Sequence, residues 1–580
     1  MKDRLFLKGI GVSAGAVLGR ARHYQGLGKL PGPRSITPAE VETELARFRK
    51  AVSEADGQLQ ALVAKVAQES SEASEIFEAH RLILADPAFG EGVEERVKAG
   101  LEAPETAVLA VAQEQAAVLR SLDDEYLSQR AQDILDVGAR LARVIAGQPT
   151  GPGEFPAEPG SIVVAVDLTP SDTAGMNRAH VAAIVLAAGG KTSHTAILSR
   201  SLGIPAVVAL GDVSAITEGA KLSVDGDQGT VIVNPSLEDE RVHAEATRAQ
   251  AARREELARL RDLPATTTDG HRVALWANIS GPADVPLALD AGAEGVGLYR
   301  TEFLFIGRSQ TPTEAEQFAA YRDVLQGMGG RPVVIRTLDV GGDKDLPYLN
   351  LPPEANPFLG YRAIRLCLDE EELFGTQLRA LLRSAPHGDL RIMFPMVISV
   401  EELLACQKAL AQAREELARA GVEVPPVQAG IMVETPAAAV IGDALGKVCD
   451  FFSLGTNDLT QYALAVDRIN ERVSALYDPF HPGVVRLIAR TIEHGHLAGI
   501  EVGMCGEMAG MALAAPLLVG MGMDELSMAP PDIPVVKEVI RSMSMETAKQ
   551  AARDALQMGT AQEIRSMLAE RFPLAAALAR

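Results

Sequence analysis

In "GGKTSHTAILSRSLGIPAVV", residues 189–208, a histidine stands where a glycine-led loop gives way to a helical pattern. Imidazole is nucleophilic near neutral pH, and the unpaired backbone amides of a helix start, with Lys191, Thr192 and Ser193, suit an anion. His194 therefore reads as a candidate phosphoryl carrier, although a lone histidine at a helix start is also an ordinary structural residue. A second set lies downstream. Arg300, Arg336, Arg362 and Arg468, with Lys344 in "GGDKDLPY", would grip a small, multiply charged anion. Singly, each is a surface ion-pair residue. Glu434 in "VETP" and Asp458 in "GTNDLTQY" are hard oxygen donors, and Mg2+ prefers one or two carboxylates completed by substrate oxygens and water. The plainer reading pairs them with the arginines. Cys505 in "GMCGEMAG" sits between glycines, where a thiol facing an anion site can give or take a proton. Cys367, Cys406 and Cys449 fall in core-packing patterns, and His494 and His496 lack zinc spacing.

Elements must bring these residues together. Beyond about Thr268, apolar runs alternate with helical segments: "RVALWANIS", "EGVGLYRTEF", "PVVIRTLDVGG", "LRIMFPMV", "QAGIMVETP", "FFSLGTNDL", "EVGMCGEMA" and "DELSMAP". Eight such units predict a closed parallel barrel, in which chemistry collects at the C-terminal strand ends. Arg300, Arg336, Glu434, Asn457 with Asp458, and Cys505 all stand there, and this joint placement favours an anion site over scattered surface charges. Upstream, residues 36–147 carry helical periodicity, flanked by strand-like material in 1–35 and 148–235. That pattern predicts an α/β domain with an inserted helical bundle. Residues 236–264 alternate in charge and predict a surface helix or a linker about 40 Å long, and 265–580 make the barrel.

Composition excludes several classes. The chain has 580 residues, 47% hydrophobic and 23% charged, too long for one core and too apolar for disorder. A net charge of −22 without a basic run speaks against nucleic acid and suits a small basic protein partner. Glycines break the N-terminal segment before a signal-length apolar run forms, no stretch suits a bilayer, and four scattered cysteines fit a reducing compartment, so a soluble cytoplasmic protein is expected.

The segment around His194 resembles the phosphohistidine segment of phosphoenolpyruvate-utilising enzymes, and "GVGLYRTEFLF", "GGDKDLPY", "NPFLGYRAIR", "FPMVISVEE", "VETPAAA", "SLGTNDLTQY" and "GMCGEMAG" resemble their barrel. Their order and the chain length are similar to the enzyme I family of the bacterial sugar phosphotransferase system. The resemblance implies that phosphoenolpyruvate binds in the barrel with Mg2+ on Glu434 and Asp458. It further implies that Arg300, Arg336, Arg468, Lys344 and Asn457 hold the substrate, with Arg362 nearby, that His194 takes the phosphoryl group, and that Cys505 protonates the enolate. Thr173 in "DLTPSDT" matches the position supporting the histidine. The implied partners are the carrier protein HPr, docking on the helical insert, and a second subunit joined through the barrel. Two departures stand out: Lys191 replaces the family's usual arginine, which loses paired hydrogen bonding to phosphate, and "VLAAGG" lacks an acidic residue found in some relatives.

Three competing readings follow. Nucleotide-dependent relatives such as the pyruvate phosphate dikinases need an ATP-binding domain that the helical insert is too small to supply. A regulatory phosphoprotein of the nitrogen-related branch would carry an extra N-terminal sensory domain, whereas this sequence opens on the α/β domain. An inactive scaffold would lack some of the reactive residue types, and all are present.

Overall fold

The computed structural model describes the whole chain apart from residues 1–3, 25–29, 67–70, 121–124, 149–158, 175, 177–179, 191–192, 307, 309, 343–345, 350, 353, 471 and 580. Its contacts define two compact units, Met1–Ala251 and Ala252–Arg580.

In the first unit eight strands form one sheet: β1 (Leu5–Lys8), β2 (Ile10–Ser13), β3 (Ala16–His23), β4 (Ser161–Ala165), β5 (Val181–Leu186), β6 (Ala206–Val208), β7 (Lys221–Asp225) and β8 (Thr230–Val233), in the order β1-β8-β7-β3-β4-β5-β6-β2. Strand β3 pairs in parallel with β4 across the helical block, Arg20 opposite Ser161. The bundle is thus an insertion within one sheet, as the flanking strand patterns predict. Five helices make it: α1 (Val41–Val66), α2 (Ser71–Ala85), α3 (Pro87–Ala99), α4 (Pro104–Arg120) and α5 (Glu125–Ala146). On α5, Val137, Leu141 and Ile145 recur every fourth residue and are buried, the stripe an amphipathic helix turns to a core. Helix α3 opens with the Asp86 carboxylate accepting from the Ala88 amide at 2.8 Å and with Pro87, whose missing N–H is not needed there. Two further helices follow, α6 (Pro170–Ala174) and α7 (His194–Ser201). Helix α7 buries Ala196 against the sheet and Leu198 in the bundle core, so it is packed between both layers of this unit.

The charged segment forms helix α8, Leu237–Ala258, whose 22 residues span about 33 Å at 1.5 Å rise, shorter than the 40 Å of an unbroken helix. Turns take up the remainder, Leu260 to Leu263 closing on themselves by short-range backbone bonds.

The second unit is the barrel. Its strands are β9 (Ala274–Ile279), β10 (Val296–Arg300), β11 (Pro332–Arg336), β12 (Asp389–Phe394), β13 (Gln428–Val433), β14 (Phe451–Leu454), β15 (Glu501–Met504) and β16 (Glu525–Met528), all parallel and closed by β16 on β9. Alternation sorts the side chains into two cores. On β14, Phe452 and Leu454 join the layer under the helices, while Phe451 packs inside the barrel with Trp276, Leu298, Val334, Met393, Met432 and Cys505. This inner apolar plug leaves the polar chemistry to the strand ends above it.

Candidate active site

The site is built from strand ends. Arg300 and Arg336 are the last residues of β10 and β11 and lie opposite each other in register. Glu434 follows β13 directly, and the helix Thr456–Leu464, which carries Asn457 and Asp458, begins two residues after the adjacent β14. Gly455 between them lets this happen, since a Cβ there would come within 2.9 Å of Glu434 Oε2.

Arg336 is 5% exposed and donates from Nη2 to Glu302 Oε1 at 2.7 Å, while Nη1 lies 2.8 Å from Asp339 Oδ2. Arg362, equally buried, donates to the other Asp339 oxygen at 2.9 Å and to the Tyr462 hydroxyl at 3.2 Å, and stands 3.6 Å from Asp458 Oδ1. Burial opposes both guanidinium charges, and the surrounding carboxylates outweigh it, so both stay charged. Asp339 therefore yokes the two arginines at a fixed separation. Arg300 differs from them: it is half-buried, and among the described residues its guanidinium has neither hydrogen bond nor ion pair.

Glu434 is fully enclosed. Its Oε1 accepts from the Met396 amide at 2.7 Å, and burial, with the Asp458 and Asp339 charges, pushes its carboxyl up to about 8 against the pull of Arg336 and Arg362. Asp458 Oδ1 is buried without a hydrogen bond. Two carboxylates that repel each other, one holding a proton and one with an unsatisfied oxygen, fit a hard divalent cation that would displace the proton and take up the lone pair. Among the described residues no group of three or more His, Cys, Asp or Glu could hold a metal by itself. Substrate oxygens would have to complete the shell.

Asn457 is held on both faces, its amide donating to Glu507 Oε1 at 2.9 Å and its oxygen accepting from the Glu507 backbone at 3.0 Å. Its carbonyl accepts from the Tyr477 hydroxyl, which also senses the charge of half-buried Arg468. Cys505 directly follows β15 and is 2% exposed at the top of the inner apolar cluster. Burial pushes its thiol up to about 12, with Arg336 and Glu434 near enough to act on it, so it is a protonated donor at neutral pH. Sequence reasoning expects this thiol to face an anion site; the structure sets it among apolar side chains with the charged groups at its edge. The other three cysteines are free, two buried in the helix layer. His496 is exposed and pairs with Asp524 at 3.0 Å.

In the first unit the described residues include the His194 backbone as the first turn of α7. Its side chain, Lys191 and, in the barrel, Lys344 lie outside the described residues. Ser193 caps α7, its hydroxyl accepting from the Ala196 amide and donating to the Gly190 carbonyl at 2.9 Å. Gly189 has φ of +102°, a conformation that favours glycine. Thr195 ties α7 to the neighbouring loop by donating to the Leu168 carbonyl at 3.2 Å, and the fully buried Thr173 donates to Thr169 at 3.1 Å. The structure thus brings the Thr173 turn alongside the start of α7.

Glu302, Asp339, Tyr462 and Glu507 escape the sequence reading. Asp339 stands three residues after strand-end Arg336 inside a motif already singled out, and that spacing is the signal that could have found it, whereas Glu302 follows Arg300 but pairs with Arg336 of the next strand.

Comparison with known proteins identifies the family. Three family descriptions match in order: the N-terminal region of PEP-utilising enzymes over residues 8–130, their mobile domain over 157–229 and their PEP-binding domain over 254–545. The phosphoenolpyruvate-protein phosphotransferase of Bacillus subtilis (strain 168) is 44% identical over 570 residues, covering 98% of this chain and 99% of its own. That of Geobacillus stearothermophilus is 44% identical over 578 residues, 98% of each chain. A solution structure of an Enzyme I protein is 39% identical and covers 42% of this chain and 99% of its own, with a TM-score of 0.36. On the sequence matches, which run through both units and every strand-end motif described above, this chain belongs to the family of phosphoenolpyruvate-utilising enzymes.

Proposed function

We propose that the protein transfers the phosphoryl group of phosphoenolpyruvate to its own His194 and then to a histidine of the carrier protein HPr, releasing pyruvate, as the first step of a sugar phosphotransferase system. The observation that carries this reading is the near-full-length identity of 44% to phosphoenolpyruvate-protein phosphotransferases.

In this reading Arg300, Arg336, Arg468 and Lys344 hold the substrate's phosphate and carboxylate beside Asn457, and Arg362 fixes Asp339 and Asp458. Arg300, with no partner among the described residues, is a guanidinium that engages substrate without first giving up a protein carboxylate. Glu434 and Asp458 would hold Mg2+, which when bound neutralises charge on the transferring phosphoryl oxygens. His194 attacks phosphorus in line while the arginines meet charge on the equatorial oxygens. The enolate left behind takes the Cys505 proton at C3, a role suited to a thiol that burial keeps protonated. Thr173 and Lys191 support the phosphorylated histidine. HPr docks on the helical domain, residues 36–147; the α/β domain, residues 1–35 and 148–235, moves on the hinge 236–264; and the barrel, 265–580, joins two subunits. A net charge of −22 suits a basic carrier. A cytoplasmic setting belongs to the same reading, and among the described residues no helix is long and apolar enough to cross a membrane.

Intact-protein mass spectrometry tests it. With Mg2+ and phosphoenolpyruvate but no nucleotide, one acid-labile phosphate should appear, vanish in His194→Ala and move to added HPr. Labelling that requires ATP would overturn the proposal in favour of a dikinase-like reaction.

A further inference from the structure

Beneath Cys505 the barrel holds a carboxyl group that the reaction as described leaves unused. Strands β14, β15 and β16 set Ser453, Gly503 and Glu525 level with one another, Ser453 opposite Gly503 and Gly503 opposite Glu525. Phe451 points into the barrel, so Ser453 two residues on does as well. Gly503 stands two residues before Cys505, one side-chain layer below it. The Glu525 carboxyl occupies the space this glycine leaves: a Cβ on Gly503 would fall 2.0 Å from Glu525 Oε2, and a Cβ on Gly297 of β10 would fall 2.7 Å from Oε1. Glu525 is thus folded into the barrel interior, its Oε1 buried without a hydrogen bond.

The layer spacing of about 6–7 Å along a strand is too long for direct proton transfer from carboxyl to thiol and short enough for one bridging hydroxyl. Ser453 supplies it. Its hydroxyl is buried without a hydrogen bond on the strand beside Cys505, whose thiol in this structure donates to the Leu454 carbonyl at 3.9 Å. The titratable groups whose charges act on Glu525 are Arg391 on β12, Glu501 on β15 and the neighbouring Asp524, and Glu525 in turn acts on Cys505. Arg391 lies over the Trp276 ring at 5.3 Å and bonds the Glu501 carboxylate at 2.7 Å, and Glu501 is two-thirds exposed at the N-terminal mouth.

We infer that Glu525 is the proton reserve for Cys505, reached through the Ser453 hydroxyl. The inference rests on the phosphotransfer reading above. The steps balance as one proton moving downhill. C3 of the enolate takes the thiol proton and becomes the methyl of pyruvate; the thiolate takes the Ser453 hydroxyl proton; the serine oxygen takes the Glu525 carboxyl proton. The negative charge comes to rest on Glu525, within the field of Arg391, and a solvent proton entering at the Glu501 end restores the acid. Burial without a bonding partner keeps Glu525 in its acid form, well above the ordinary carboxylate range. Glu525 and Ser453 act through Cys505 and are positioning and relay residues rather than groups that touch substrate.

Glu525→Gln preserves shape and neutrality but cannot give up a proton, and Ser453→Ala removes the bridge while leaving the acid. Two rates separate relay from structure: phosphoryl labelling of His194 from phosphoenolpyruvate, and wash-in of deuterium at the methyl of pyruvate in D2O with Mg2+. Both variants should label within about twofold of wild type and exchange at least tenfold more slowly. Wild-type exchange rates in both variants would overturn the relay while leaving phosphotransfer intact. Loss of labelling in proportion to exchange would assign both residues to barrel packing and also overturn it. A wild-type protein that does not label would overturn the phosphotransfer reading first.

Discussion

Glu434→Gln exchanges stability against function in a way that pH reveals. The wild-type carboxyl, raised from 4.5 to about 8 by burial and by the Asp458 and Asp339 charges, binds a proton in the folded barrel that the unfolded chain has lost. With the folded state holding more protons than the unfolded one, stability falls as pH rises from about 4.5 to about 8, and levels off above. At about 1.4 kcal/mol per pH unit the ceiling on the loss is about 5 kcal/mol, and relaxation and water entry bring the expected value to about 1–3 kcal/mol. Glutamine stays neutral, keeps an oxygen for the Met396 amide and offers N–H donors to Asp458. For a unit of this size each kcal/mol moves the midpoint by about 2 °C, so at pH 8 in chelator the variant's barrel should melt about 2–6 °C higher. At pH 5 the two proteins should melt together. Calorimetry across that range measures the gap. A variant no more stable at pH 8, or a gap that persists at pH 5, would refute the assignment of strain to this carboxylate. The same variant should lose at least about 100-fold in kcat/KM for phosphoenolpyruvate, because the cation loses a charged ligand.

Cation binding should share this titration: wild-type affinity for Mg2+, by calorimetry in buffers of different ionisation enthalpy, should rise towards pH 8 with about one proton released per ion, and flatten above it. Asp339→Ala should unyoke Arg336 and Arg362, destabilising the barrel by about 3–5 kcal/mol and lowering kcat/KM by at least about 100-fold, whereas Asp339→Asn retains part of the hydrogen bonding and should melt closer to wild type. Cys505→Ala should leave His194 labelling nearly intact and slow pyruvate formation by about 100- to 10,000-fold, read by rapid-quench product analysis; equal losses in both would remove the thiol from the protonation step. Ser193→Ala should loosen the start of α7 by about 1 kcal/mol, seen as faster amide exchange at Thr195 and Ala196.

The barrel was legible because its strands are apolar runs, five of them ending in or leading into a chemically distinctive residue, from Arg300 to Cys505, and each quoted run overlaps a strand of the closed sheet. The inserted bundle was legible from the switch between two-residue and 3.6-residue periodicity, and β3 pairing with β4 confirms it. Partnerships were harder to read. Nothing local tells Glu302, which pairs with Arg336 of the next strand, from other carboxylates near strand ends, because that choice depends on which side chains the closed barrel turns inward. Glu525 begins a strand next to Asp524, and only the glycines at 297 and 503, on other strands, make the room that draws its carboxyl inside. Helix α8 came out shorter than its charge pattern, because alternation of charge marks exposure and not the last hydrogen-bonded turn.

The charges of the site determine the order in which it must fill. Around the two buried arginines stand the Glu302, Asp339 and Asp458 carboxylates, with Glu434 holding its proton near neutral pH. Two positive charges against three negative ones leave the buried pair itself net negative, so a multiply charged anion is met by the cations around it rather than by these two arginines alone. Arg300, without a partner among the described residues, balances that count, and half-buried Arg468 adds to it. A divalent ion on Glu434 and Asp458 adds one net positive charge, even after Glu434 gives up its proton. Coulomb energy between unit charges about 4 Å apart is about 4 kcal/mol at an effective dielectric of 20, so the added positive charge is worth several kcal/mol to an incoming phosphate. Phosphoenolpyruvate affinity of the His194→Ala protein, where no chemistry follows binding, should therefore fall by at least about 100-fold in chelator. Raising ionic strength should not restore it, because the repelling carboxylates are buried and poorly screened. Binding that is unchanged by chelation would mean that the arginines suffice, and that Glu434 and Asp458 serve the barrel rather than the substrate.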